Sequence, residues 1–266
     1  MTMTLISHKR YCELDQIISF FLARFPSNTL PIKITEMLKQ LSLEGMYFNT
    51  FKQFAEANDI PLALVPRQLK TNNACLKYDK NTGDTYVYYN QDLPKNTKRW
   101  DLIHEIGHHT LGHYRIIEAD SGYLSEQNLK RFEEEANYFA KQVLAPDSLA
   151  IAVMAHLNRF DFPFIYMLYR TLFQLGRQAS RYCALHMEKF YLYKKVNKKL
   201  IQKYKIPLVK YLNELSDETR FSQLWLYYSL ELQNYAQKNS MRSVAEIMDK
   251  MTNYSGLYFA PINSVM

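Results

Sequence analysis

The stretch HEIGHHTLGH, residues 104–113, holds four of the seven histidines in the chain, and it guides the interpretation of the rest. On a helix, residues four apart lie on one side with Cβ atoms about 5–6 Å apart, so His104 and His108 project together. Two imidazoles at that spacing can reach one zinc ion at about 2.0–2.1 Å. Glu105 follows the first histidine, where it can take a proton from water activated by the metal. The stretch therefore predicts a catalytic zinc helix within residues 96–113.

The alternative is a helix that carries histidines without any chemical role, since an isolated HExxH pattern also occurs by chance. The helix itself is supported by apolar or small residues that repeat at helical spacing on the opposite face: Trp100, Ile103, Gly107 and Leu111. His109 and His113 are interpreted as supporting or surface residues rather than ligands. Gly107 is expected to allow close packing under the metal, and Gly112 to end the helix.

A catalytic zinc needs a third protein ligand, and the next predicted helix, residues 127–144, offers three glutamates. The core stripe of this helix consists of Leu129, Phe132, Ala136, Phe139 and Val143. On a helical wheel Glu134 points away from the stripe, whereas Glu133 and Glu135 flank it on opposite sides. Periodicity therefore excludes Glu134 and leaves both Glu133 and Glu135 open.

The remaining sequence predicts an α+β fold with a small antiparallel sheet before the zinc helix. Residues 9–25 have the spacing of a helix, and residues 31–58 that of two shorter helices broken near Gly45. The sheet is expected within residues 60–90. Its predicted parts are a strand at 60–65 and a hairpin of strands 74–79 and 85–90, joined by the turn at 80–84.

The second half of the chain predicts a different organisation, because residues 149–250 show helical spacing almost throughout. Pro146, Asp147 and Ser148 mark the boundary between the two halves. The predicted division is a helical N-terminal extension (1–42), the core (43–148) and a mostly α-helical, basic C-terminal region (149–266).

The amino-acid composition indicates an ordinary globular protein rather than a membrane protein. The hydrophobic fraction of 47% and the charged fraction of 22% are ordinary for a globular chain of 266 residues. No apolar run of about 18 residues predicts a membrane span, so no membrane partner is expected. The N-terminus has no basic segment followed by a long apolar one, and the three cysteines are far apart. These features favour an unprocessed protein in the cytoplasm.

The net charge of +7 lies in the second half of the chain. Residues 1–150 hold 17 basic against 18 acidic side chains, and residues 151–266 hold 16 against 8. Several lysines crowd one short segment: Lys194, Lys195, Lys198, Lys199, Lys203 and Lys205. A basic stripe of this kind is either a solvated helix face or a surface for the phosphates of nucleic acid.

HEIGHHTLGH followed by EEEANYFAKQVLAP resembles the ImmA/IrrE-like zinc metallopeptidases over roughly residues 43–150. The resemblance implies a zincin-like metallopeptidase core that binds Zn²⁺. It also implies that His104 and His108 are metal ligands, that Glu105 is the general base, and that the third ligand is Glu135, which precedes Ala-Asn. Ala145 stands where the family usually has Met, a difference that affects packing rather than chemistry.

The resemblance further implies a zinc-dependent endopeptidase whose substrate is a regulatory protein, namely a DNA-binding transcriptional repressor. Strand 85–90 is the expected template on which an extended substrate adds as a further strand. Two alternatives remain open. One is a non-proteolytic antirepressor, a protein-binding module with a structural zinc. The other is a basic nucleic-acid-binding protein.

Overall fold

The computed structural model describes residues 6–119, 125–190 and 196–238. Its internal contacts divide the chain into two compact units. Unit 1 comprises Met1–Ser27 and Lys33–Leu144, and unit 2 comprises Asn28–Ile32 and Ala145–Met266. The three-part division predicted from the sequence stays a prediction.

Unit 1 combines helices with a small sheet. In chain order, its described elements are α1 (His8–Ala23), α2 (Thr35–Leu43), β1 (Met46–Thr50), α3 (Phe51–Ala57), α4 (Val65–Leu69), β2 (Ala74–Tyr78), β3 (Thr85–Tyr89), α5 (Lys95–Thr110), α6 (His113–Ala119) and α7 (Glu126–Leu144). The α+β class and the two helices predicted around the site are confirmed. Helix α5 ends before residue 113 because Gly112 has a φ of 70°, the left-handed conformation that stops helices.

Helices α1, α5 and α7 pack together around buried apolar side chains. The rings of Phe21 on α1 and Phe139 on α7 lie 5.0 Å apart between centroids. A Cβ added to Gly107 on α5 would lie 3.1 Å from Phe139 Cδ1. Glycine at this position therefore lets α5 and α7 approach closely, as predicted, and this approach brings the two site-bearing helices together.

The sheet in the described part of unit 1 is mixed rather than antiparallel, which corrects the prediction. The strand order is β1–β3–β2, with β1 parallel to β3 and β2 antiparallel to β3. The hairpin of β2 and β3 is confirmed, and Gly83 helps to turn it with a φ of 79°. The sequence does not predict β1, because this five-residue strand pairs in parallel with a partner far along the chain.

Residues 60–65 do not form the predicted strand. Leu62–Leu64 is a 3-10 helix, and α4 follows with Pro66 in its first turn. Proline has no N–H for a sheet ladder, but it fits the first turn of a helix. Val65 instead packs in a small buried cluster with Phe54 of α3. A short apolar run next to proline was therefore a weak indicator of a strand.

Unit 2 is helical wherever the structure describes it. Its described helices are α8 (Asp147–Leu157), α9 (Phe162–Thr171), α10 (Arg177–Phe190), α11 (Lys198–Lys203), α12 (Lys205–Leu215) and α13 (Glu218–Lys238). The helical prediction is confirmed for these segments, and residues 191–195 and 239–250 of the predicted stretch lie outside the described residues. None of the helices in the described part of the chain has the length and apolarity needed to cross a membrane.

The basic stripe is described only in part. Lys194 and Lys195 lie outside the described residues, whereas Lys199 and Lys203 share the short helix α11. Lys198 and Lys199 are exposed, and Lys203 is half-buried. Nucleic-acid binding by this segment stays a prediction.

Candidate metal centre

Two helices of unit 1 bring three possible ligand side chains together. Helix α5 carries His104 and His108 one turn apart, and their Nε2 atoms lie 3.1 Å from each other. Helix α7 presents Glu133, whose carboxylate oxygens lie 3.2 Å from His104 Nε2 and 3.3 Å from His108 Nε2. Among the described residues, these three side chains form a group whose ligand atoms could hold one metal ion.

The spacing of these atoms fits a tetrahedral ion. Ligands placed about 2.0–2.1 Å from zinc lie about 3.3 Å from one another at tetrahedral angles. The two Nε2 atoms lie 3.1 Å apart, and the distances from them to Glu133 are 3.2 Å to Oε2 and 3.3 Å to Oε1. Two imidazole nitrogens and one carboxylate oxygen also make up a donor set found in catalytic zinc sites, which keep a fourth position open. The residues present therefore fit Zn²⁺.

The hydrogen bond behind His104 directs its other nitrogen towards the site. His104 Nδ1 lies 3.2 Å from Asn137 Oδ1, so Nδ1–H donates to this oxygen and Nε2 keeps its lone pair. The lone pair of His104 therefore faces the Glu133 carboxylate at 3.2 Å, and a cation between them would make this arrangement favourable.

Glu135, the predicted third ligand, lies apart from this group, and the glutamate that the structure brings to the histidine pair is Glu133. The carboxylate of Glu135 accepts hydrogen bonds from Arg10 Nε at 3.0 Å and Arg10 Nη2 at 2.6 Å. It also lies 3.2 Å from His113 Nε2. Its side chain is 2% exposed, whereas that of Glu133 is 60% exposed. The two glutamates flank the apolar stripe of α7 on opposite sides, and only Glu133 lies against the histidine pair of α5.

Glu105 lies beside the three ligand candidates and lines the same cleft. Its carboxylate accepts a hydrogen bond from the backbone N–H of Leu76 on β2. Burial raises the pKa of Glu105 to about 7, the neighbouring His104 opposes this rise, and the Glu133 carboxylate adds to it. A carboxyl group with a pKa near neutrality is suited to accepting and returning a proton. A bound cation nearby would favour the ionised form.

An open cleft of about 510 Å³ gives access to these groups. Strand β2 forms one wall through Ala74, Cys75 and Leu76, and α5 and α7 form the other. In the described sheet β2 pairs on one side with β3, and its other side is an edge. The predicted substrate template, strand 85–90, is therefore misplaced, because β3 lies between β1 and β2. The edge beside the cleft belongs to β2.

The sequence prediction overlooked two residues that contact the predicted site residues. Asn137 lies four residues after Glu133, and helical spacing places both on one face of α7. The sequence therefore contains enough information to predict that Asn137 lies near the site. Arg10 lies 125 residues before Glu135, and no local pattern connects them. His113 was interpreted as a supporting residue or a surface residue. Its ring is 1% exposed, and its Nδ1 lies 2.9 Å from His108 Nδ1.

Comparison with models of protein families matches residues 62–182 to Peptidase_M78, described as the IrrE N-terminal-like domain. The matched segment contains β2, β3, α5 and α7, but neither α1 nor β1. A search of curated proteins gives no match. The resemblance to the ImmA/IrrE-like family is therefore confirmed for this part of the chain.

Proposed function

We propose that this chain, which is ImmA/IrrE-like over residues 62–182, is a zinc-dependent endopeptidase with a zincin-like core. The family description supports peptidase activity in general. The observation that carries the finer proposal is the convergence of His104, His108 and Glu133 at tetrahedral spacing, with Glu105 beside them. In this proposal the three converging side chains are the zinc ligands.

The acid–base chemistry is assigned to Glu105. A Zn²⁺ ion, when bound, supplies a Lewis acid that activates water and polarises a carbonyl group. Glu105 accepts the proton of the attacking water and later delivers it to the amine that leaves. The Leu76 N–H supports this role because it fixes one position of the Glu105 carboxylate at the wall of the cleft.

The edge of β2 is proposed to hold the substrate in an extended conformation. Just beyond the two ends of β2, Asn90 N donates to Asn73 O and Asp79 N donates to Asp84 O, so the odd-numbered residues of this strand pair towards β3. The backbone groups of the alternate residues, Ala74, Leu76 and Tyr78, therefore point towards the open edge, where the Leu76 N–H donates to Glu105. An extended peptide can add to such an edge as a further strand, which would place a peptide bond beside Glu105.

The proposed substrate is a regulatory protein, and within that class a DNA-binding transcriptional repressor, as the family resemblance implies. In the cytoplasm, cleavage of such a repressor would switch on the genes that it controls. The alternatives are a protein-binding antirepressor with a structural zinc and a basic nucleic-acid-binding protein. A specific observation favours proteolysis over a purely structural metal, because Glu133 is 60% exposed and the metal-facing atoms line an open cleft.

The experiment compares the wild-type chain with Glu105→Gln in the native host and sequences new protein N-termini across the proteome. We expect a cleavage product in the wild type and a loss of about 10²–10⁴-fold in cleavage with Glu105→Gln, the usual contribution of a general base. Glu126→Gln is the matched control, because Glu126 lies on α7 in an exposed pair with Lys130. Both variants should retain zinc when the purified proteins are assayed for metal content.

Three outcomes would contradict the proposal. Cleavage by Glu105→Gln at the wild-type rate would remove Glu105 from the mechanism. Induction of repressor-controlled genes by both proteins, without any new N-terminus, would favour the protein-binding alternative. Nucleic-acid binding that weakens steeply with salt, again without cleavage, would favour the third function.

A further inference from the structure

A chain of polar side chains leads from the N-terminal helix to His108. Arg10 on α1 holds the Glu135 carboxylate through two hydrogen bonds, at 3.0 and 2.6 Å. Glu135 Oε2 lies 3.2 Å from His113 Nε2, and His113 Nδ1 lies 2.9 Å from His108 Nδ1. The opposite nitrogen of His108, Nε2, faces Glu133 and His104. Four side chains from four helices, α1, α7, α6 and α5, are thus connected in sequence.

The chemistry of each partner sets the direction of these hydrogen bonds. An ionised carboxylate only accepts, so His113 Nε2–H donates to Glu135. The remaining nitrogen of a neutral His113 has a lone pair, and it accepts the Nδ1–H of His108. His108 therefore keeps its lone pair on Nε2, the atom that faces the proposed metal position. His104 reaches the same state through Asn137.

Further contacts close to these four side chains hold helix α1 against α7. The hydroxyl group of Tyr138 donates to Asp15 Oδ1 at 2.6 Å. The rings of Tyr11 and Tyr138 meet edge to face, with centroids 4.8 Å apart. These contacts keep Arg10 of α1 within hydrogen-bond distance of Glu135 on α7. Because α1 precedes the segment matched by the family model, Arg10 is a contribution from outside that segment.

We propose that Arg10, Glu135 and His113 are positioning residues that orient His108 for metal binding, so that helix α1 completes the metal centre. The inference rests on the proposed zinc site. The paired guanidinium and carboxylate groups fix the plane of Glu135, because two parallel hydrogen bonds define its orientation. Glu135 then fixes the ring of His113, and His113 fixes both the ring and the tautomer of His108. Partners of this kind behind a ligand typically change metal affinity about 10–100-fold when they are mutated.

The competing explanation is a buried ion pair that only attaches α1 to α7. Such a pair would contribute to the stability of unit 1 and leave the metal affinity of the folded chain unchanged. Metal affinity and the geometry of the bound ion therefore distinguish the two roles, whereas stability alone does not.

The experiment measures the Zn²⁺ dissociation constant of the full chain by competition with a chromogenic chelator. The visible spectrum of the Co²⁺-loaded protein reports the coordination geometry. We expect Arg10→Met and Glu135→Gln to weaken Zn²⁺ binding about 10–100-fold and to alter the Co²⁺ spectrum. Arg10→Lys keeps the positive charge but removes the pair of guanidinium N–H donors. Its Zn²⁺ affinity should therefore lie between that of Arg10→Met and that of the wild type. Thermal unfolding of each metal-free variant records the effect on stability separately.

The matched controls are Arg24→Met and Glu44→Gln, which break another Arg–Glu pair of unit 1. That pair is exposed, with each side chain 43% accessible, and both controls should bind Zn²⁺ with wild-type affinity. If Glu135→Gln fails to fold, Arg10→Met still provides the test, because Arg10 is 32% exposed.

Three results would overturn the inference in different ways. Wild-type Zn²⁺ affinity and an unchanged Co²⁺ spectrum in Arg10→Met would leave only a structural ion pair. A similar loss of affinity in the control variants would show that the effect is unspecific. A wild-type chain that binds no Zn²⁺ would remove the proposed zinc site itself, and this failure differs from the first because it appears before any substitution.

Discussion

In the described part of the chain, two glutamate side chains are largely shielded from solvent beside arginine residues, one in each unit, and they make different further contacts. Glu135 in unit 1 is 2% exposed and pairs with Arg10. Glu231 in unit 2 is 8% exposed and lies 3.0 Å from Arg170 Nε and 2.8 Å from Arg177 Nε. Both pairs satisfy the requirement that a buried charge finds an opposite charge and hydrogen-bond donors.

The difference lies in what each carboxylate contacts beyond arginine. Glu135 continues through His113 to His108, whose other nitrogen faces the proposed metal position. Glu231 accepts a hydrogen bond from the hydroxyl group of Tyr166 on α9, and its contacts join helices of unit 2 to one another. A buried carboxylate is therefore no functional signal by itself. Its connection to a cluster of possible metal ligands is the informative feature.

The largest effect is expected for Glu133→Ala, which removes a proposed ligand rather than a supporting residue. Zinc affinity should fall at least about 1000-fold, beyond the range of about 10–100-fold expected for partners behind a ligand. Chelator competition with Zn²⁺ measures both this variant and Glu135→Ala under the same conditions. If Glu135→Ala lost the metal while Glu133→Ala kept it, the two glutamates would exchange roles, and the proposed assignment of Glu133 as the third ligand would be wrong.

Helices α5 and α7 show how far the sequence alone can identify a site. The HExxH spacing places His104, Glu105 and His108 on one helix, since only local geometry is involved. The helical wheel restricts the third ligand to Glu133 or Glu135, but the choice depends on which side of α7 meets α5. The packing of α5 against α7 is a tertiary contact, which periodicity within one helix does not reveal. The family resemblance implies Glu135, whereas the carboxylate that faces the two histidines belongs to Glu133.

The fold shows the same limit. The helices and the β2–β3 hairpin were predicted because their patterns are local, including the turn at Gly83. Strand β1 and the position of β3 at the centre of the sheet depend on parallel pairing between distant segments. Arg10 is the corresponding case at the site, because its partner lies 125 residues away. Apart from the wrong strand at residues 60–65, the features that the sequence did not predict are contacts that connect distant parts of the chain.

The second prediction concerns Glu231→Gln, which should destabilise unit 2 and leave zinc binding unchanged. Removing one partner of a buried pair costs about 3–5 kcal/mol, and we expect about 3 kcal/mol because Arg177 is 68% exposed. The chain contains two tryptophans, Trp100 and Trp225, one in each unit. Urea unfolding followed by fluorescence in a Trp100→Phe background therefore reports on unit 2 through Trp225.

The same substitution should also change the dependence of stability on pH. Burial raises the pKa of Glu231, but hydrogen bonds from Tyr166 and Arg170 outweigh burial, so the pKa lies below its ordinary value of 4.5. A carboxyl group of this kind stabilises the fold fully above about pH 4.5 and loses that contribution as the pH falls below it. The difference in free energy of unfolding between wild type and Glu231→Gln should therefore shrink on acidification. A difference that grows towards low pH would contradict this assignment.

The smallest effect is expected for Arg24→Ala, which breaks an Arg–Glu pair at the surface of unit 1. Arg24 Nη2 contacts both carboxylate oxygens of Glu44, so the chemistry resembles that of Arg10 and Glu135. Both side chains are 43% exposed, and exposed pairs contribute about 0–1 kcal/mol because water and salt screen them. Urea unfolding of the metal-free chain in a Trp225→Phe background measures this cost through Trp100. A cost of about 3 kcal/mol, comparable to that of Glu231→Gln, would mean that burial is not what separates these ion pairs. The comparison of Glu135 with Glu231 would then need another basis.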